Sequence, residues 1–254
     1  MTDRTHEAFV DAQFGPQAQA YVASAVHARG DDLARFTDIV SARPPGAALD
    51  LGCGGGHVAF ALAPLSLSVV AYDLSEAMTA AVRAEADRRG LSNLSAQCGA
   101  AERLPFPDAA FDIVATRHSA HHWNSVPAGL SEARRVLKPG GLLVVMDVVA
   151  PEQPLLDTWL QAFDLIRDPS HVRAYSLSHW RDLVEAAGFA VETSARFRVR
   201  LEFRSWIERI RTPAVQAEAI RALGKLAPSE VVRHFEIEPD GSFTLDTMLI
   251  SARC

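Results

Sequence analysis

Three histidines within five residues, His118, His121 and His122, and two aspartates that bracket a glycine cluster, Asp50 and Asp73, are the side chains best suited to chemistry in this chain. Histidine titrates near neutrality, so one ring of the trio could take a proton from an acceptor. His118 and His122 rank above His121 as catalytic candidates, because an i, i+4 pair projects from nearly the same side of a helical turn. At least one of the three is expected to be packed in its loop with its ring nitrogens satisfied. As metal ligands they would need further ligands and outer carboxylates that the sequence does not identify, and no metal is expected.

The aspartates flank Ala47-Ala48-Leu49-Asp50-Leu51-Gly52-Cys53-Gly54-Gly55-Gly56-His57, an apolar run that meets four glycines within five positions and is followed by Val58 to Leu62. That pattern reads as strand, tight loop and helix. Glycines permit positive φ and leave no Cβ in the way, so N–H groups at the new helix start can face a bound group. Asp73 lies 21 residues after Gly52, at the end of the next β-rich run, where a carboxylate can accept hydrogen bonds from ribose hydroxyls. Taken alone this fits a nicotinamide cofactor. His57 stands where the dinucleotide fingerprint wants its third glycine, however, and the Asp50 carboxylate would repel a pyrophosphate while favouring a ligand that carries an ammonium and a sulfonium. S-adenosylmethionine is such a ligand. Asp50 could also be buried and bonded to loop amides, and the two roles are compatible.

The elements that must position these groups can be read outward from the loop. Pro16 starts a helix with Ala18, Tyr21, Val22, Ala25 and Val26 on its apolar stripe, after a polar stretch over 1–14 that is loose unless a ligand or the domain surface orders it, and Asp31-Asp32 open a second helix that Pro44-Pro45 stop. Strands follow at 67–73, 94–98, 111–116, 142–149, 189–199 and 242–252, and helices are expected from Ser75 to Gly90, from Pro127 to Lys138, from Leu156 to near Pro169, from a Ser178 cap to Gly188, and over 203–226 with a break at Pro213. Strands alternate with helices over the first 150 residues, which argues for an α/β, doubly wound, mainly parallel sheet with helices on both faces.

A chain of 254 residues with 48% hydrophobic and 22% charged residues can bury a sizeable core. The net charge of −6 gives no overall basic field for nucleic acid. Cys53, Cys98 and Cys254 have no CxxC spacing, so neither a disulfide framework nor a zinc knuckle is indicated. No signal-peptide pattern and no bilayer-length apolar run is present, the longest run, 141–150, being interrupted by Asp147. A cytoplasmic protein without membrane insertion is expected, and the oligomeric state is not readable.

Five motifs now carry a resemblance: Leu49-Asp50-Leu51-Gly52-Cys53-Gly54-Gly55-Gly56, Asp73 to Met78, Ala101 to Asp108, Phe111-Asp112-Ile113-Val114, and Arg135 to Gly141. In this order the chain resembles the class I, Rossmann-like methyltransferases, especially the branch that includes the ubiquinone and menaquinone biosynthesis C-methyltransferases. The resemblance implies a seven-stranded sheet over residues 46–254, a helical cover over 1–45, and helical acceptor-side insertions at 151–178 and 203–235. It implies that S-adenosylmethionine is the cofactor, that Gly52, Cys53 and Gly54 pass close to its methionine part with Asp50 beneath, that Asp73 binds both ribose hydroxyls, and that Leu74 and Met78 flank the adenine. Ala101 would offer its N–H to the adenine ring, with Glu102 beside it. Ala100 stands where the family often has Asp or Asn, which removes one side-chain bond to the adenine amino group. Tyr21 from the cover and Arg117 after strand four complete the expected cofactor shell.

Methyl transfer asks mainly for alignment and exclusion of water, because the sulfonium is already an activated electrophile. The acceptor is expected to be a small molecule, aromatic or quinone-like, walled by residues drawn from Trp159, Phe163, His171, Arg173, Tyr175 and Trp206. Two other readings stay open: a nicotinamide-dependent oxidoreductase, and a non-catalytic protein that binds S-adenosylmethionine.

Overall fold

The computed structural model describes residues 5–24 and 30–254. Its sheet has seven strands, β1 (Ala47–Leu51), β2 (Ser68–Asp73), β3 (Leu94–Cys98), β4 (Phe111–Arg117), β5 (Leu137–Val148), β6 (Ala190–Leu201) and β7 (Phe243–Arg253), in the order β3-β2-β1-β4-β5-β7-β6. All neighbours pair in parallel except that β7 runs antiparallel to both β5 and β6. The mainly parallel, doubly wound sheet read from the sequence is the one observed. β1 and β4 are buried on both faces, which is why they read as nearly unbroken apolar runs.

One face is covered by α3 (Asp31–Ser41), α4 (His57–Leu62) and α5 (Glu76–Arg89), which bring Phe36, Val40, Val58, Leu62 and Val82 into a core with Val69 and Ile113. α3 thus belongs to the helical layer on the sheet, whereas the sequence placed it in the cover. The other face takes α6 (Val126–Val136) and α8 (Leu177–Ala186), whose Leu130, Val136, Trp180 and Val184 pack on Val114, Leu143 and Ile250. α7 (Pro154–Arg167), α9 (Phe203–Arg209), α10 (Ala214–Leu226) and α11 (Ser229–Phe235) form two smaller clusters, one around Phe163, Trp206 and Phe243 and one around Leu160 and Phe235.

Several local expectations change. Within the 1–14 stretch, residues 6–14 are ordered by the domain surface as α1 (His6–Phe14), with Thr5 Oγ1 accepting from the Ala8 N–H at 3.3 Å. Its order comes from tertiary contact: Phe14 packs edge-on against Tyr21 and His122. α2 is short (Ala18–Val22), and Ala25 and Val26, expected on its stripe, lie outside the described residues. α8 is capped by Ser176 and not Ser178, whose hydroxyl instead donates to Glu152. α11 falls within the 203–235 stretch expected to be helical, beyond the 203–226 helix read from its pattern. Among the described residues no helix is long and apolar enough to cross a membrane.

Candidate active site

The carboxyl ends of β1, β2, β4 and β5 open onto one cavity of about 500 Å³, within the range of small-molecule sites. At its first end β1 turns through Gly52–Gly56 into α4, with φ of +73° at Gly52, +48° at Gly54 and +78° at Gly56. A Cβ at Gly55 would lie 2.6 Å from the Tyr21 carbonyl carbon, and one at Gly52 would overlap Ser119. At Gly54 it would meet nothing within 4 Å. Packing of the protein therefore demands glycine at the first two positions, while Gly54 borders open space.

Asp73 is folded over this loop. Its Oδ2 accepts from the Gly54 N–H at 2.7 Å and its Oδ1 from the Ser75 N–H at 2.9 Å. Burial raises its pKa, with those two bonds opposing the rise. Each carboxylate oxygen retains a lone pair for a further donor. Ser75 lines the same end, and its Oγ is buried with no hydrogen-bond partner among the described residues. Leu74, Met78, Ala100, Ala101 and Glu102 also line the cavity, and Glu102 Oε1 accepts from the Ser125 N–H at 3.2 Å.

Two expected members lie elsewhere. Asp50 does not line the cavity; its Oδ2 accepts from the Ala59 N–H at 2.8 Å, within the first turn of α4, and burial pushes its pKa up to about 7. Asp50 is thus bonded to the helix that follows the loop. Cys53 is likewise buried beneath the loop, outside the lining, with Sγ turned to the Gly54 carbonyl. Arg117 does line the cavity, but its guanidinium is held by Asp32 in a two-pronged pair, Nε to Oδ2 at 2.6 Å and Nη2 to Oδ1 at 3.0 Å. Tyr21 lines it from the cover, its carbonyl accepting from His57 Nε2 at 2.9 Å. The ring that replaces the dinucleotide glycine thus ties α2 to α4.

At the second end stand all three histidines of the trio. Their spacing argument fails: Ala120–His122 is a single 3-10 turn, and His118 precedes it with φ +51°, so no α-helical face joins His118 to His122. His121 is the oriented one. Its backbone N–H donates to Asp147 Oδ2 at 3.3 Å, and its Nδ1–H donates to Asp147 Oδ1 at 2.6 Å. Nε2 is left without a hydrogen-bond partner among the described residues. Burial works against a charged ring at His121, but the Asp147 carboxylate more than offsets it and raises the pKa; Asp147 itself is held below its ordinary value, its own burial outweighed by His121. His122 donates Nδ1–H to the Ser170 carbonyl at 3.1 Å, and burial, with His121 beside it, pushes its pKa down to about 4. His118 falls to about 4 for burial and for Arg117 next to it. Both rings stay neutral near pH 7.

The remaining wall comes from further along the chain. His171 and Trp206 line the cavity as expected, with His171 Nε2–H donating to Gln161 Oε1 at 2.9 Å. Trp159, Phe163, Arg173 and Tyr175 do not: Phe163 is core, Arg173 pairs with Asp157, and Tyr175 packs on Trp180. Residues with no sequence expectation enter in their place, among them Asp164, Arg167, Asp168, Phe197 and Arg209. Asp147 is conspicuous in sequence only as an acid inside an apolar strand, which was the available signal. No group of three or more His, Cys, Asp or Glu side chains among the described residues is arranged to hold a metal ion.

A methyltransferase-domain family profile matches residues 49–145. The protein YafE of Escherichia coli is 44% identical over 201 residues, covering 79% of this chain and 97% of that protein. The uncharacterised methyltransferase YcgJ of Bacillus subtilis is 35% identical over 210 residues, covering 83% of each. Its crystal structure superposes with a TM-score of 0.84 at 33% identity, over 87% of this chain and 97% of that one. The ubiquinone/menaquinone biosynthesis C-methyltransferase UbiE of Brucella anthropi matches 46% of each chain at 36% identity. With the sheet order, the loop and these likenesses together, the chain belongs to the class I, Rossmann-like methyltransferases.

Proposed function

We propose that this methyltransferase uses S-adenosylmethionine and methylates a small, partly apolar acceptor, aromatic or quinone-like, in the cytoplasm. One observation carries the reading. A single cavity has the glycine loop, with open space at Gly54, at one end and an oriented His121–Asp147 pair at the other.

The residues at the loop suit the cofactor. Asp73 has lone pairs left for ribose hydroxyls, the orphaned Ser75 Oγ lacks a partner that a polar ligand can supply, and Leu74 and Met78 offer apolar faces for a base. When bound, S-adenosylmethionine supplies the methyl group as a sulfonium electrophile that needs no further activation. The protein's part is then alignment and proton management. Phe14, Phe197, Trp206 and Leu245 give an apolar wall against which a planar acceptor can be excluded from water. For an acceptor with an ionisable O–H or N–H, His121 Nε2 takes that proton as the acceptor atom becomes the nucleophile, and Asp147 stabilises the imidazolium that results. His121 therefore replaces His118 and His122 as the residue assigned the base role. The quinone-related names among relatives extend over about half of this chain, so they support the acceptor class only through the cofactor half.

Calorimetry with S-adenosylhomocysteine and, separately, with NAD tests the cofactor. Micromolar binding of the former with none of the latter is the expected result. Binding of NAD alone overturns the reading.

A further inference from the structure

Among the described residues no carboxylate answers the charge of Arg209, which faces the cavity. It ends α9, lines the cavity and is only partly exposed, yet it makes no side-chain hydrogen bond and no ion pair with any described residue. The other cavity arginines differ. Arg117 is held by Asp32, and Arg198 and Arg200, on β6, pair with Asp246 and Glu238. Arg167, at the end of α7, donates Nε–H and Nη2–H to the Trp206 carbonyl, both at 3.1 Å, and its guanidinium lies 4.7 Å from the centre of the Trp206 ring. Asp164 and Asp168 lie within electrostatic reach of Arg167, although neither comes within ion-pair distance. The titratable groups that Arg209 feels are the Tyr21 hydroxyl and Arg167, a second cation. Burial accordingly holds the Arg209 pKa below its usual value.

A partly buried guanidinium facing a ligand cavity without a counter-ion is costly, because its donors have lost part of their water and gained no acceptor from the protein. Three elements bring this charge into the cavity, α9 with Arg209, α7 with Arg167 and α2 with Tyr21, so the arrangement is fixed by packing and not by one mobile side chain. Asp164 and Asp168 supply two negative charges close to Arg167, which disfavours a doubly charged ligand there. Those carboxylates act on Arg167 and not on Arg209, so the Arg209 fork itself still lacks an anion and suits a ligand group carrying a single negative charge. The planar donor fork of an arginine matches a planar two-oxygen acceptor.

Resting on the methyltransferase reading above, we infer that the acceptor is a carboxylic acid, anchored through its carboxylate by Arg209, with Tyr21 beside it, while its nucleophilic atom is presented toward His121. Arg209 is thus a specificity-determining residue for a singly charged acceptor.

The test uses the full chain saturated with S-adenosylhomocysteine. Calorimetry or inhibition is run with a panel of small aryl and aliphatic carboxylic acids, with 4-hydroxybenzoate and salicylate among them, each against its amide, and with the matching aryl phosphates. At least one acid is expected to bind about 10- to 100-fold more tightly than its amide, as expected for a charge-assisted fork. Arg209→Gln should erase that difference without changing S-adenosylhomocysteine affinity, and Arg209→Lys should restore part of it. If no acid outbinds its amide, if the phosphates bind better than the acids, or if Arg209→Gln keeps the preference, the inference is overturned. Failure of S-adenosylhomocysteine to bind at all instead overturns the cofactor reading on which the inference stands.

Discussion

The two ends of the cavity are built by different means. The cofactor end is made largely of backbone: a loop whose N–H groups are oriented by Asp73 and whose shape is dictated by glycine at positions where a Cβ would meet Tyr21 or Ser119. The acceptor end is made of side chains, with His121 held by Asp147, His122 by Ser170, His171 by Gln161 and Arg167 by the Trp206 carbonyl. A backbone site is general, because any sequence that folds the loop makes it. A side-chain site is particular, because each group depends on a partner from a distant element.

Substitutions that act on one end alone separate these two kinds of construction. The largest effect is expected from Gly54→Val. Its side chain would enter the open space at a backbone of φ +48°, and affinity for S-adenosylhomocysteine should fall by about 100-fold or more through steric exclusion. Calorimetry on a folded variant with normal affinity would refute the close approach. Next comes His121→Ala, expected to cost on the order of 10²- to 10⁴-fold in turnover on an acceptor that needs deprotonation, with cofactor affinity nearly intact. The wild-type rate should rise with pH through a pKa above the ordinary histidine value, and Asp147→Asn should move that limb toward lower pH, since the carboxylate is what raises it. An unmoved pH profile in Asp147→Asn would remove the pair from the chemistry.

Asp73→Ala should weaken cofactor binding by about 1.5 to 3 kcal/mol, the range for hydrogen bonds to a charged group. Some of that loss would come from the loop itself, because the Gly54 and Ser75 amides lose their acceptor. Asp73→Asn keeps one acceptor oxygen and should fall between the two, which distinguishes loop ordering from ligand contact.

The smallest effect is on stability against pH. His118 and His122 have folded pKa values pushed down to about 4, so the unfolded chain binds more protons below its own value of about 6.5. The share of stability carried by these two rings should therefore be lost as pH drops from about 6.5 toward 4, while the raised Asp50 and Asp164 act in the opposite sense over the same window. His121, raised in the folded state, contributes in the other sense: its share is complete below about pH 6.5 and is lost as pH rises through its folded pKa. A thermal-unfolding series in wild type and His122→Gln checks this, and the variant should lose less Tm on acidification. An equal loss in both would mean that His122 does not carry the effect.

The same contrast explains what the sequence disclosed. β1, the glycine loop and Asp73 lie within one short stretch and are governed by local rules, so their geometry follows from spacing. Asp50 takes the second of the two roles open to it in the sequence: a carboxylate before the loop can serve the ligand or a backbone amide, and it is bonded to the Ala59 amide. At the acceptor end spacing misled, because it assumed an α-helical turn where the chain makes a 3-10 turn preceded by a left-handed His118. Asp147 is 26 residues beyond His121 and Arg209 lies on a helix that the sequence suggested but could not orient. No local rule relates them. The β4–β5 pairing, which sets Arg117 beside Met146, brings His121 to Asp147, and the packing of α7 and α9 against β6 and β7 brings Arg209 to the cavity.

The position of β7 has a consequence for how the molecule comes together. It is the last strand in chain order, yet it is not an edge, since it fills the gap between β5 and β6 and closes ladders such as Val148↔Thr247 across a long intervening chain. β1 and β2, by contrast, pair across a single short crossover. Loop-closure entropy makes the short pairings accessible first, and until β7 arrives β5 keeps an open edge. The cofactor end can thus acquire its shape while the acceptor end is still unmade. In pulse-labelled refolding, amides of β1 and β2 should gain protection before those of β6 and β7, and simultaneous protection would show that the two ends form as one unit.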